Sequence, residues 1–175
     1  MYGFWRVLTM SDKVYVIAEI GINHEGSVEQ CVRMIKAVAE IGVDAVKLQT
    51  IDADSNYVFG SESYRIFKDS ELTREETANM FSLARDNGLD IFTTAGDIDT
   101  VEWVEKLKPS CWKISSGLLT HIPMVHHLAS LGRPLLISTG MANVDDIDLA
   151  IETSKSVGNN DISLFQCTSL YPAPL

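Results

Sequence analysis

The sequence predicts an α/β fold of the (β/α)8 barrel type, cut short after about six strands, and three observations carry that prediction. Apolar strand-like runs alternate with helix-like stretches along the whole chain. Nearly every run ends on polar residues: Glu19, then Lys47-Leu-Gln-Thr50, Thr93-Thr94, Lys113-Ile-Ser-Ser-Gly117 and Ser138-Thr-Gly140. In parallel α/β folds the carboxyl ends of the strands share one face, and that face holds the chemistry. Finally, no G-x-G-x-x-G turn occurs, so the polar signal is not concentrated in one turn as in an open dinucleotide-binding sheet. A closed barrel needs eight strand–helix units in about 250 residues, and these 175 residues supply six strands.

The first strand is read at Val14 to Glu19. Ser27 caps a helix whose apolar positions Cys31, Met34, Ile35, Val38 and Ile41 follow helical spacing, and Gly42 ends it. Asp44-Ala-Val-Lys47 is the second strand. Residues 52–72 form a polar, aromatic-studded loop, longer than usual and placed where a substrate lid would sit. Thr73-Arg-Glu-Glu76 has the form of a capping box and opens a helix that stops near Asn87-Gly88. Strand three follows at Leu89 to Thr94, with a helix from Asp99 to Leu107. Pro109 separates that helix from strand four, Cys111 to Ile114. The next helix runs from Pro123 to Leu131. Pro134 opens strand five, which closes on Ser138-Thr-Gly140. A helix over Val144 to Val157 and a strand over Ile162 to Gln166 complete the pattern. Residues 1–13 read as an amino-terminal extension and 14–175 as one incomplete barrel domain.

Bulk properties narrow the partners. A net charge of −10 disfavours nucleic acid and anionic membranes, since both repel an acidic surface. No apolar run has the length of a membrane span, and no signal peptide is apparent, so a cytoplasmic protein is expected. Cys31, Cys111 and Cys167 lack metal-type spacing and read as buried free thiols.

Lys47 and Lys113 sit among apolar strand residues, where an unpaired ammonium is costly, so each must find an anion or lose its proton. Three uses remain open: a salt bridge to Glu19 or Asp44, an anion site, or a Schiff-base nucleophile. The hydroxyls of Thr94, Ser116 and Ser138 and the neighbouring glycines favour the anion site, for a phosphate or carboxylate. Glu19 suits a general acid or base, or a partner for either lysine. His24-Glu25 alone does not make a metal site, and His121, His126 and His127 fall on a helix or its start, away from the strand-end face. Trp103, Trp112, Phe81 and Phe92 read as core.

The run Ile17-Ala-Glu-Ile-Gly-Ile-Asn-His-Glu-Gly26 resembles the signature of the sialic acid synthase (N-acetylneuraminate synthase) family. The likeness continues in order through Val46-Lys-Leu-Gln-Thr50, Trp112-Lys-Ile-Ser-Ser-Gly117, Leu136-Ile-Ser-Thr-Gly-Met141 and Gln166-Cys-Thr-Ser-Leu-Tyr-Pro-Ala-Pro174. It implies a (β/α)8 transferase that condenses phosphoenolpyruvate with an N-acylated aldose and water, giving a nonulosonic acid and phosphate. By motif, Lys47, Thr94, Lys113, Ser116 and Ser138 match phosphoenolpyruvate-binding positions. Glu19 and Gln49 match polar positions near the reacting atoms, and Tyr171 a sugar-contacting one.

The same resemblance implies a divalent metal, Mn²⁺ or Mg²⁺, whose ligands lie beyond Leu175, and a homodimer for the complete enzyme. Leu118, the turn Thr94-Ala-Gly-Asp97 and Gln166 depart from the family pattern and point to a different sugar or a relaxed constraint. Without strands seven and eight, this chain alone is expected to be inactive. Two other readings stand beside it: a Schiff-base aldolase on the same barrel, and a truncated fragment that self-associates through its open edges.

Overall fold

The computed structural model describes residues 14–170 together with 172 and 173. The expected extension 1–13 lies outside them, and so does Tyr171.

Six parallel strands form one sheet in strictly sequential order, β1 (Ile17–Gly21), β2 (Ala45–Thr50), β3 (Asp90–Ala95), β4 (Trp112–Ile114), β5 (Leu135–Ser138) and β6 (Ile162–Phe165). The sheet curls into part of a (β/α)8-type barrel, so that β1, β3 and β6 all line one cavity. The helices α1 (Val28–Glu40), α2 (Ala53–Asn56), α3 (Glu62–Asp69), α4 (Arg74–Asp86), α5 (Ile98–Glu105), α6 (Ile122–Ser130) and α7 (Val144–Ser156) connect the strands. None of them is long and apolar enough to cross a membrane.

The pleat sorts the strand residues. Successive side chains point to opposite faces. Val46, Leu48, Ile91, Trp112, Ile114, Leu135 and Ile137 therefore pack outward into the layer of helices as the main core. Ile17, Ala45, Phe92, Cys111 and Leu136 form a second, smaller cluster on the concave face. Lys47, Gln49, Thr94, Lys113 and Ser138 share that concave parity and line the cavity above it. A one-residue slip would drive both lysines into the helix layer, so the apolar pattern also fixes the site.

Two elements were not anticipated. The stretch read as a loop over 52–72 holds α2 and α3, capped by Asp52 and Ser61. Aromatic side chains of the connection between them pair with those of α3, Tyr57 stacking on Phe67 with centroids 4.7 Å apart and Phe59 meeting Tyr64 edge-on at 5.1 Å. The first strand also runs past Glu19 to Gly21, with a register shift against β2 between those two residues. The capping box at Thr73 and Glu76 forms as read.

One polar clamp ties the outer layer to the sheet. Trp112 is fully buried, and its indole N–H donates to Glu105 at 3.0 Å. Arg133 grips the same carboxylate through Nε, at 2.8 and 2.9 Å, and through a terminal nitrogen at 2.5 Å.

Candidate active site

The concave face opens into a cavity of about 750 Å³ at the carboxyl ends of the strands. That volume suits a small metabolite. Seven of the eight residues expected to act together line it: Glu19, Lys47, Gln49, Thr94, Lys113, Ser116 and Ser138. The eighth, Tyr171, lies outside the described residues.

Glu19 and Lys47 face each other across the first strand pair, which places them opposite in register. Lys47 Nζ donates to Glu19 Oε1 at 3.0 Å. The lysine side chain is 9% exposed and the glutamate 58%, so the pair offers a buried cation with its carboxylate toward the opening. Gly21 permits this arrangement. Its φ of +56° lies in the left-handed region, and a Cβ there would approach Glu19 Oε1 to 3.0 Å.

Lys113 is held differently. Its Nζ donates to Ser138 Oγ at 2.5 Å and to the Ile114 carbonyl at 2.9 Å. Among the described residues no carboxylate lies within ion-pair distance of it. The Phe165 ring centroid is 5.7 Å away. Burial, and next the neighbouring Lys47 ammonium, push the Lys113 amine down to about 8.

The hydroxyls complete the lining. Ser138 is buried, and its Oγ also accepts from the Cys167 thiol at 3.4 Å. Ser116 Oγ accepts from the Gly140 backbone N–H at 3.1 Å, joining the turns after β4 and β5. Gly140 also lets the chain after β6 pack close, because a Cβ there would lie 3.0 Å from the Cys167 backbone carbonyl oxygen. Thr94 is buried on the cavity wall, and Gln49 stands beside it in the β2–β3 register.

Several expectations need correction. Cys167 is not a buried thiol: it is half-exposed and lines the cavity, because it follows β6 on the strand-end face. Phe92 is core, but on the concave side, where it floors the cavity. His121 does not lie away from the strand-end face. Helix amino termini in βα units sit at the carboxyl ends of the strands, so this cap of α6 joins Asn56, Gly96 and Asp97 at the rim. Ser115, in the polar turn marked after strand four, lines the cavity as well, and so do Asn23 and Ser169, which were not singled out as site residues. Loop residues carry no periodicity, and only their place after a strand could have marked them.

His24 turns away from the cavity into a small space beside Thr77, where its Nδ1 accepts from the Gly26 N–H at 3.2 Å. Burial holds its pKa below the ordinary value. Among the described residues no group of three or more His, Cys, Asp or Glu is arranged to hold a metal. Glu19, the cavity's carboxylate, is already engaged by Lys47. The described residues therefore do not fit the divalent metal that the resemblance implies.

As it stands, the arrangement can hold an anion. Lys47, ion-paired with Glu19, Lys113, whose proton is held loosely, and several hydroxyls converge where a phosphate or carboxylate would be desolvated and bound.

Comparison with known proteins agrees with this geometry. The profile of the NeuB family matches residues 34–175. The chain is 34% identical to the N,N'-diacetyllegionaminic acid synthase of Legionella pneumophila, covering 91% of this chain and 50% of that protein. It is 32% identical to the spore coat polysaccharide biosynthesis protein SpsE of Bacillus subtilis, over 92% of this chain and 46% of that one. The crystal structure of N-acetylneuraminic acid synthetase from Leptospira borgpetersenii, in complex with citrate, superposes with a TM-score of 0.85 at 24% identity. That superposition covers 92% of this chain and 56% of the other, and at this identity it speaks to the fold. The chain spans about half the length of the curated relatives it matches.

Proposed function

The chain belongs to the NeuB family, and from that premise we propose that it serves the condensation of phosphoenolpyruvate with an N-acylated aldose such as N-acetylmannosamine. The products are a nonulosonic acid and phosphate. The single observation that carries this reading is the convergence of Lys47 and Lys113 with Thr94, Ser116 and Ser138 in one cavity. Phosphoenolpyruvate presents a carboxylate and a phosphate on one small carbon frame, and two cations flanked by hydroxyls complement both.

In this reading Lys47 and Lys113 neutralise the two anionic groups, and the hydroxyls fix their orientation. The methylene carbon of the enol then bonds to the aldehyde carbon of the sugar, whose oxygen takes up a proton. Water adds to the carbon bearing the phosphate ester, and phosphate departs with the C–O bond electrons. Glu19, partly exposed beside Lys47, is placed to hold or pass a proton during these steps. Gln49 hydrogen-bonds the reacting groups, and Tyr171 contacts the sugar. The chain carries the phosphoenolpyruvate half of the site, and turnover depends on a closed barrel. Use of phosphoenolpyruvate places the reaction in the cytoplasm.

A thermal melt with and without phosphoenolpyruvate tests this proposal. A ligand that prefers the native state raises the midpoint. The expected result is a rise that disappears when Lys47→Ala and Lys113→Ala are combined. An equal rise in the double variant refutes the assignment.

A further inference from the structure

The two lysines of the cavity are not equivalent. Lys47 is ion-paired with Glu19 at 3.0 Å. Lys113 contacts two neutral acceptors, Ser138 Oγ and the Ile114 carbonyl, and no carboxylate among the described residues. An ammonium has three hydrogens, of which these acceptors use two. A neutral amine has two, both used, and its lone pair is left without a donor. The neutral form is thus fully accommodated where it stands.

The surroundings make that form easier to reach than at an ordinary lysine. Leu136, Phe92 and Phe165 supply apolar walls, and Lys47 contributes a second positive charge nearby. An amine beside another cation and away from water is the arrangement that makes lysine a nucleophile near neutral pH. Protonation at about 8 agrees with this.

We propose that Lys113 is a covalent capture site for small 2-keto acids, forming an imine with the ketone while Lys47, Ser116 and Ser138 hold the adjacent carboxylate. The lone pair of Nζ bonds to the carbonyl carbon, and the carbonyl oxygen takes up a proton to give a carbinolamine. Loss of water then leaves an iminium, with nothing oxidised or reduced. Phosphoenolpyruvate has no free ketone and cannot follow this path, whereas pyruvate and the open-chain keto form of a nonulosonic acid can. The inference rests on the cavity and not on the condensation proposed above, although a shared anion site makes phosphoenolpyruvate a competitor.

The test is reductive trapping of the full chain with pyruvate and sodium borohydride at about pH 7.5, where ordinary lysines remain protonated. Intact mass and peptide mapping locate the product. The expected result is one reduced pyruvate on Lys113, absent from Lys113→Arg and retained in Lys155→Arg, whose lysine is exposed on α7 outside the cavity. Mapping of the unaltered chain identifies the site even where a variant fails to fold. Trapping is also expected to rise by up to about tenfold between pH 7 and pH 9, as the neutral fraction grows. An unmodified mass overturns the proposal, as does an adduct on Lys47 or spread over other lysines. Stabilisation by phosphoenolpyruvate without a pyruvate adduct removes this inference and leaves the condensation. An adduct on Lys113 that excess phosphoenolpyruvate does not diminish sustains this inference and counts against the condensation.

Discussion

Replacing Lys113 by methionine should stabilise the fold at neutral pH, and the effect should reverse in alkali. The amine falls from its ordinary 10.5 to about 8 in the folded chain, chiefly because burial penalises the ammonium. That displacement corresponds to about 3 kcal/mol of folding free energy. The penalty is fully present below pH 8, where both folded and unfolded chains carry the proton. It is relieved as pH rises from about 8 to 10.5, because the folded chain then loses its proton first. Methionine removes the charge and keeps the side-chain length, but it gives up hydrogen bonds to Ser138 and Ile114 worth about 1 kcal/mol each. Lys113→Met should therefore exceed the parent by about 1–2 kcal/mol near pH 7, and fall below it by a similar amount near pH 10.5. Paired urea titrations at several pH values measure this difference, and titrations common to both proteins and uncoupled from Lys113, such as that of Tyr15, cancel. A difference that stays flat across that range would refute the assignment of Lys113 as a desolvated amine.

The clamp on Trp112 gives a second stability prediction. Glu105→Ala leaves a buried indole N–H and the Arg133 guanidinium without their acceptor, and should cost about 2–4 kcal/mol in urea melts; a loss below about 1 kcal/mol would mean that water replaces the carboxylate. Gly21→Ala should cost about 1–2 kcal/mol through its left-handed backbone, and should also weaken stabilisation by phosphoenolpyruvate, since the new methyl crowds the Glu19 carboxylate. Loss of stability with ligand response intact would separate the bulge from the site.

The site was legible because strand parity is a strong constraint. Lys47 and Lys113 each sit between outward-facing apolar neighbours, Val46 with Leu48 and Trp112 with Ile114, so the alternation alone sends both inward. The capping box at Thr73 was equally plain, since its two reciprocal bonds have a spacing signature. Helices α2 and α3 escaped notice because four and eight residues are too short to show a helical period. Their caps, Asp52 and Ser61, were the only local signal. Cys167 and His121 were misplaced for one reason: their positions depend on where loops travel after a strand, which residue type does not encode. The division of labour between the lysines was also hidden. It rests on which lysine meets Glu19, and that is a matter of β1–β2 register.

The sequential strand order has a consequence for how the cavity comes into being during synthesis. Each described strand pairs with its neighbours in chain order, so no pairing among them has to wait for a segment from the far end of the chain. Glu19 meets Lys47 across 28 positions, and Lys113 meets Ser138 across 25. The first pair can close while the nascent chain has emerged no farther than β2, and the second only once β5 has left the ribosome. The buried charge of Lys47 is thus neutralised early, before the later strands close around it. Lys113, which has no carboxylate partner among the described residues, arrives when the pocket that desolvates it is nearly built.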